Sequence, residues 1–407
     1  MTIGYDIFVA ASNSKPRAKA KADYVCTGVH DELTIQKAID EAVKEGVGVL
    51  LADGKYNMEG FYDFGDGGPK TALCFPRITR EFAFFGESYS DGVEPDGEQN
   101  ETAILYVTEA ALDTIGDGEY DVLRGAWTER GILNGSALHL NNLCVALANN
   151  QHPVRCLDLR RTDAPYIENV RLRGVYDAAF AKAFDIPVKG CIGMTMTDGS
   201  NNARADYINV FARCFYEGIQ AGGEHSVCIN CGASAGAYGW TFGNYDFHCG
   251  FNHPITLINC LDETNIHLPY FGDCGDHDYD GKLLRGRQEV TMISFNLEHF
   301  DSQSPGGKMG DLMREKVPGS WCGSIDFTYQ PDWCHTNDIA CRMWENDGSG
   351  VNIRTRNNCH KAVCTTAERM SYFPMYGETI FDTDLNKTVI CLDPEKGMWV
   401  DAMGKQV

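Results

Sequence analysis

Short apolar sets recur between Tyr166 and Phe300, each closed by Gly, Asn or Asp. Ile167, Val170 and Leu172 form one set, and Ile208 with Val210 the next. Val227 with Ile229, then Ile255, Leu257 and Ile258, then Val290, Met292, Ile293 and Phe295 continue the series. This is strand patterning, and stretches at helical spacing are almost absent after residue 45. Asn accompanies the sets at Asn169, Asn209, Asn230, Asn259 and Asn296, with intervals of 40, 21, 29 and 37 residues. A constant companion at an irregular interval predicts stacked coils with loops of different length inserted. Each rung buries its face on its neighbours, and Asn side chains ladder at the turns. The chain is therefore expected to be all-β, a parallel β-helix (solenoid), with a large irregular β-sandwich as the competing architecture.

Ahead of this region, Ile7, Phe8 and Val9 suit a strand, and Lys15 to Lys21 reads as a basic, Ala-rich linker. Thr34 is the expected N-cap of a helix that runs to about Lys44. Ile35, Ala38, Ile39 and Ala42 line one face of it, and Gly46 and Gly48 end it. A buried strand at Val47–Leu51, a turn at Asp53-Gly54 and a second strand at Lys55–Met58 follow. Further rungs are expected at Ile78–Gly86, Thr102–Val107, Leu138–Leu147 and Val154–Leu159. The Tyr176–Lys189 stretch reads as an insert standing off the coil, and Ser302–Gly310 as a loop. Strand character resumes at Ser320–Thr328 and Val351–Thr355. The expected division is a leader at 1–22, the β-helix at 23–375 and a small C-terminal β-hairpin module at 376–407. The module's apolar markers are Phe381, Leu385, Ile390, Trp399 and Val400.

Composition narrows the function. The net charge is −22, from 57 acids and 35 bases, which argues against nucleic acid and anionic membrane surfaces and leaves a neutral glycan open. No run approaches a membrane-spanning length. The first residues lack the basic stretch of a secretory signal, so cytoplasmic synthesis is expected. The 17 cysteines are scattered without a disulfide framework and read as reduced, packed thiols. Cys228 and Cys231 have no second pair at zinc spacing and read as a stacked core ladder.

The stretch ADYVCTGVHDELTIQKAIDEAVKEGVGVLLADGKYN resembles the N-terminal cap of the pectate-lyase-like right-handed β-helix superfamily. More narrowly, it is similar to the version found in tail-associated proteins of phages and prophages of Gram-positive bacteria. In that family the helix plugs the open end of the coil, whose terminal rung would otherwise expose an apolar edge. The end of the chain, with FDTDLNK followed by WVDAMG, is similar to short modules that close many phage tail and fibre proteins. The resemblance implies a right-handed coil, an oligo- or polysaccharide partner, a homotrimer and association with a virion.

Members of the superfamily act on glycans with carboxylates that protonate the leaving oxygen and activate water or attack carbon. Three stretches are candidates. In RADYINVFARCFYEGIQAGGEH, Asp206 and Glu217 lie eleven apart, about half a rung, with Glu224 and His225 following. The inulin fructotransferase family uses an Asp and a Glu in a similar segment. The bland reading is a turn cap at Asp206 and a solvated edge residue at Glu217. In WTFGNYDFHCGFNHP, Trp240, Asn244, Tyr245, His248, Asn252 and His253 are candidate sugar-binding groups, with Asp246 a candidate acid. Aromatic platforms beside hydrogen-bonding groups make a sugar site, whereas the alternative is an aromatic core layer. Asp262 and Glu263 follow, and alternation lets only one face outward. Glu298 is a further candidate acid. In GDCGDHDYDGK, Asp276, Asp278 and Asp280 match the first half of a calcium loop. Arg287 stands where the closing Glu belongs, so a looser calcium site and a plain acidic turn both remain, and no other cofactor is expected.

The expected function is a glycan-active protein, either glycoside hydrolase or intramolecular fructosyl-type transferase. A non-catalytic tail adhesin is the alternative. A polysaccharide lyase ranks lower, because Arg204, Arg213, Arg285 and Arg287 make no strongly basic patch and the acidic chain would repel a polyuronate.

Overall fold

The computed structural model describes residues 6–75, 77, 81–90, 101–127, 137–162, 164–175, 187–197, 204–223, 225–242, 255–263, 265, 269–271, 276–277, 283–284, 288–298, 321–329, 350–357, 363–370, 379–393 and 396–407. The chain is a parallel β-helix. Its strands pair in parallel from one coil to the next, in a large sheet and a second, seven-stranded sheet.

The coil begins inside the expected leader. Strand Ile7–Ala10 lies between Tyr24–Val25 and Val49–Leu51, parallel to both. The helix spans Asp31–Glu45, and His30 rather than Thr34 is its N-cap. It starts early because Asp31 and Glu32 take up backbone amides around its first turn. Asp31 accepts from Gly28 and Asn57, and Glu32 from Glu59. Ile35, Ala38, Ile39 and Ala42 are fully buried against the first strands. Each Ile contributes roughly 1.5–3 kcal/mol relative to exposure. Gly46, in the left-handed region at φ 80°, stops the helix.

Each complete coil has three faces. On the first, Phe84, Leu140, Ile167, Tyr207, Cys228, Leu257 and Met292 stack in register, and all are buried. A corner follows, and then a second face whose buried residues include Leu143, Val170, Val210, Cys231, Cys260 and Phe295. The third face is the seven-stranded sheet, where Leu73, Leu123, Leu157, Met194, Ile219 and Trp240 stack. Cys228 and Cys231 are buried free thiols within this core.

The corner between the first two faces is built by Asn142, Asn169, Asn209, Asn230 and Asn259, all at φ between 53° and 57°. Asn tolerates this left-handed conformation better than other side-chain-bearing residues. The amide of Asn169 donates to Asn142 at 3.1 Å, Asn209 to Asn169 at 2.7 Å and Asn259 to Asn230 at 2.6 Å. Asn296 does not belong to this ladder. Ser294, at φ 54°, takes the corner in its coil, and Asn296 pairs with Leu261 within the next face.

Towards the C-terminus, Val363–Cys364, Thr379–Asp382, Lys387–Asp393 and Met398–Asp401 form a four-stranded sheet. This sheet reaches upstream of Tyr376. Its core is Cys364, Ile380, Val389, Cys391 and Trp399. Phe381 and Leu385, expected as apolar markers, are 36% and 37% exposed. Alternation turns Ile380 and Asp382 inward instead. Asp382 is tolerated there because Arg369 pairs with it at 2.9 Å and stacks over Trp399. No helix among the described residues is long and apolar enough to cross a membrane.

Candidate functional site on the outer face of the coil

The strands that bury Ile167 and Tyr207 must turn their alternate residues outward. On the first face this outward set contains both aromatic rings and acids. His139, Tyr166 and Asp206 lie in register on successive coils, with Asn141 and Glu168 in the neighbouring outward row. Phe85 pairs with Asn141 one coil earlier. The rings of Phe85 and His139 meet edge to face at 5.3 Å, and those of His139 and Tyr166 at 4.4 Å. The result is a partly exposed aromatic ladder crossing three coils.

Carboxylates border this ladder. Glu81 approaches His139 Nδ1 at 3.0 Å. Glu168 accepts from the Asn141 amide at 3.2 Å and from the Tyr166 hydroxyl at 3.3 Å. Partial burial, then the charges of Glu168 and Asp206, push the Tyr166 phenol up, so both acids act on this one ring. Asp206 is exposed. Glu168 and Asp206 sit one coil and two residues apart, which places their Cα atoms about 8 Å from each other. Sequence reasoning singled out Asp206 and missed Phe85, His139, Tyr166 and Glu168. The signal was the complement of the apolar pattern: in YIENVRLR, the residues between the core positions are the outward ones.

Round the corner the outer face changes character. Arg171 donates to the Asn209 carbonyl at 2.8 Å and to its side chain at 3.1 Å, and also bonds the Tyr89 hydroxyl. Burial and the neighbouring Arg173 bring its guanidinium down to about 10. Arg173 pairs in register with Arg213, Arg213 with Ser234, and Ser234 with Glu263. The backbone of Glu298 pairs with that of Glu263, so these two candidates occupy adjacent coils.

The other candidates are dispersed. Glu217 lies on the seven-stranded sheet, away from the strand of Asp206, and is buried rather than solvated. It accepts from Thr241 at 2.8 Å and Gln220 at 3.2 Å, while burial raises its carboxyl. Trp240 is fully buried, stacked on Phe242, and its indole donates to the Leu261 carbonyl at 2.8 Å. It is a core residue and presents no face to a sugar. Asp262 points into the tube, where the Asn265 amide donates to it at 2.7 Å and burial pushes its carboxyl up to about 7. Glu263 is half-buried.

Asp276 pairs with Leu284 in a short antiparallel ladder. Asp246, Asn244, Tyr245, His248, Asn252, His253, Glu224, Asp278 and Asp280 lie outside the described residues. Among the described residues no group of three or more His, Cys, Asp and Glu is placed to hold a metal.

No family model matches the chain, and no curated protein matches it. Among solved structures, tailspike protein 3 of bacteriophage CBA120 is similar with a TM-score of 0.32 and 9% identity, over 91% of this chain and 67% of that one.

Proposed function

We propose that this β-helix binds a glycan along its first outer face and cleaves it there with Asp206 and Glu168. One observation supports the reading: Tyr166 lies in a partly exposed ring ladder and is flanked by two carboxylates on adjacent coils. Rings offer flat surfaces to the C–H faces of sugars, and the half-buried Asn141 supplies a polar partner for hydroxyls. Two outward acids on adjacent coils can serve as the general acid and as the base that activates a water, the division of labour in a glycoside hydrolase. With a sugar hydroxyl in place of that water, the same pair runs an intramolecular transfer. The reading includes a homotrimer and virion association, as the resemblance at the two ends implies.

The test is incubation with a glycan panel that includes fructans and Gram-positive surface polysaccharides, with products read by mass spectrometry. New oligosaccharides are expected from the wild type, with a loss of about 100-fold or more in Asp206→Asn and in Glu168→Gln. Tyr166→Ala is expected to weaken binding while the protein stays folded. Products that persist undiminished in both carboxylate variants would sink the assignment. Glycan binding without product under any condition would establish the adhesin reading.

A further inference from the structure

The polar layer of the seven-stranded sheet holds a second group of acids, distant in the chain from Asp206. Asp121 is fully buried, and Asp158, on the next coil, is 2% exposed. Arg155 Nη1 bridges them, at 3.0 Å from Asp121 Oδ1 and 3.1 Å from Asp158 Oδ2. Arg160 holds Asp158 from the other side through Nε and Nη2, at 3.0 and 2.8 Å, and reaches Glu119 at 2.5 Å. Trp127 lies against the guanidinium of Arg160 at 4.9 Å and of Arg161 at 5.0 Å.

One atom is left over. Asp121 Oδ2 is buried and accepts no hydrogen bond. The nearest hydroxyl in register, that of Thr71, is committed to the carbonyls of Leu73 and Val122. A buried carboxylate oxygen without a donor is costly, whereas a proton shared with a second carboxyl removes the cost. The charge count agrees. Asp121, Asp158 and Glu119 face Arg155 and Arg160, three acids against two bases. Beyond them, Asp66 and Arg124 neutralise each other at 2.7 Å. The thiol of Cys74, buried nearby, stays neutral. Glu217, further along the sheet, feels Arg155 but has its own donors in Thr241 and Gln220.

We propose that Asp121 and Asp158 hold one proton between them at neutral pH, and that this proton locks two successive coils together beneath Arg160 and Trp127. The directions of titration fit. Burial and the Asp158 charge raise Asp121, and the two arginines lower Asp158 despite its burial. The raised group sets the alkaline limit. Its stabilisation is present below the ordinary carboxylate range and is lost as pH rises through the folded value of Asp121. Ionisation then sets two buried like charges side by side and loosens the cover.

The decisive measurement is the infrared difference spectrum between wild type and Asp121→Asn, whose amide mimics the neutral acid. A protonated-carboxyl C=O band is expected in the wild type at neutral pH, titrating away towards alkaline pH and missing from the variant. Asp262 is present in both proteins and cancels. Asp158→Asn is expected to remove the same band, because its amide donates to Asp121 Oδ2. Should neither variant fold, the wild-type titration is compared with those of Asp262→Asn and Glu217→Gln, which remove two other buried carboxyls that burial raises: with no buried-carboxyl band beyond theirs the proposal fails. An unchanged band in a folded Asp121→Asn would also overturn it.

Discussion

Single side chains define what the face of this coil offers. Trp240 and Asp262 looked like site residues because aromatic, polar and acidic letters stand close together in that part of the chain. In the fold they point inward, and alternation along each strand decides this rather than composition. Tyr166 and Glu168 were hidden for the converse reason. Their neighbours Ile167 and Val170 carried the pattern, and the outward residues are legible only once the inward ones are assigned to the core. Asp262 carries a measurable consequence. Its carboxyl is raised to about 7 by burial. The associated stability is therefore present at acidic pH, below the value in the unfolded chain, and is lost as pH rises through about 7. We expect the thermal midpoint of the wild type to fall between mildly acidic and mildly alkaline pH. Asp262→Asn should show a shallower fall, the difference being on the order of 3 kcal/mol at most. Calorimetry across pH checks this, and parallel curves would show that Asp262 is not the titrating group.

At the scale of the element, the corner is the most informative piece of the coil. The Asn pattern pointed to a stack, and the stack is there, but one assignment in it slipped by two residues. Ser294 has a short hydrogen-bonding side chain that suits the same left-handed turn, so the rule is about backbone conformation more than about one residue type. Asn209 sits in the middle of the ladder at φ 55°, donating to Asn169 and to the Tyr89 hydroxyl at 3.2 Å. Asn209→Ala removes those bonds and places a methyl-bearing residue in a disfavoured backbone well. A loss of about 2 kcal/mol in denaturant unfolding is expected. Asn209→Gly should lose less, because the backbone strain disappears while the hydrogen bonds are still forfeited. Equal costs would mean that strain plays no part.

For the whole molecule, the architecture was legible because rungs repeat and a repeat is visible in any register. The capping helix was legible because one apolar face has to cover an open end. The outer surface was less so. Its rows are assembled from residues up to forty positions apart, as with Tyr166 and Asp206, and only the register brings them together. Loop lengths between coils vary, so no fixed interval could reveal that register beforehand.

The thiols distributed through the core have a use of their own. Cys26 and Cys74 lie near the first coils, and Cys144, Cys156, Cys191, Cys228 and Cys260 along the tube, all of them buried thiols. Burial pushes Cys74, Cys144 and Cys191 up to about 12. A folded molecule therefore presents almost no thiolate at these positions to an alkylating reagent. Each of these sulfurs, and that of Cys228, which its Cys231 neighbour and burial push well up, becomes a silent marker that answers only when its own coil opens. Pulsed alkylation in rising denaturant, read peptide by peptide, would show whether the tube melts in one step or peels from an end. One common midpoint for Cys74, Cys144 and Cys228 is the signature of a single cooperative column, and a staggered series is that of a column that unzips.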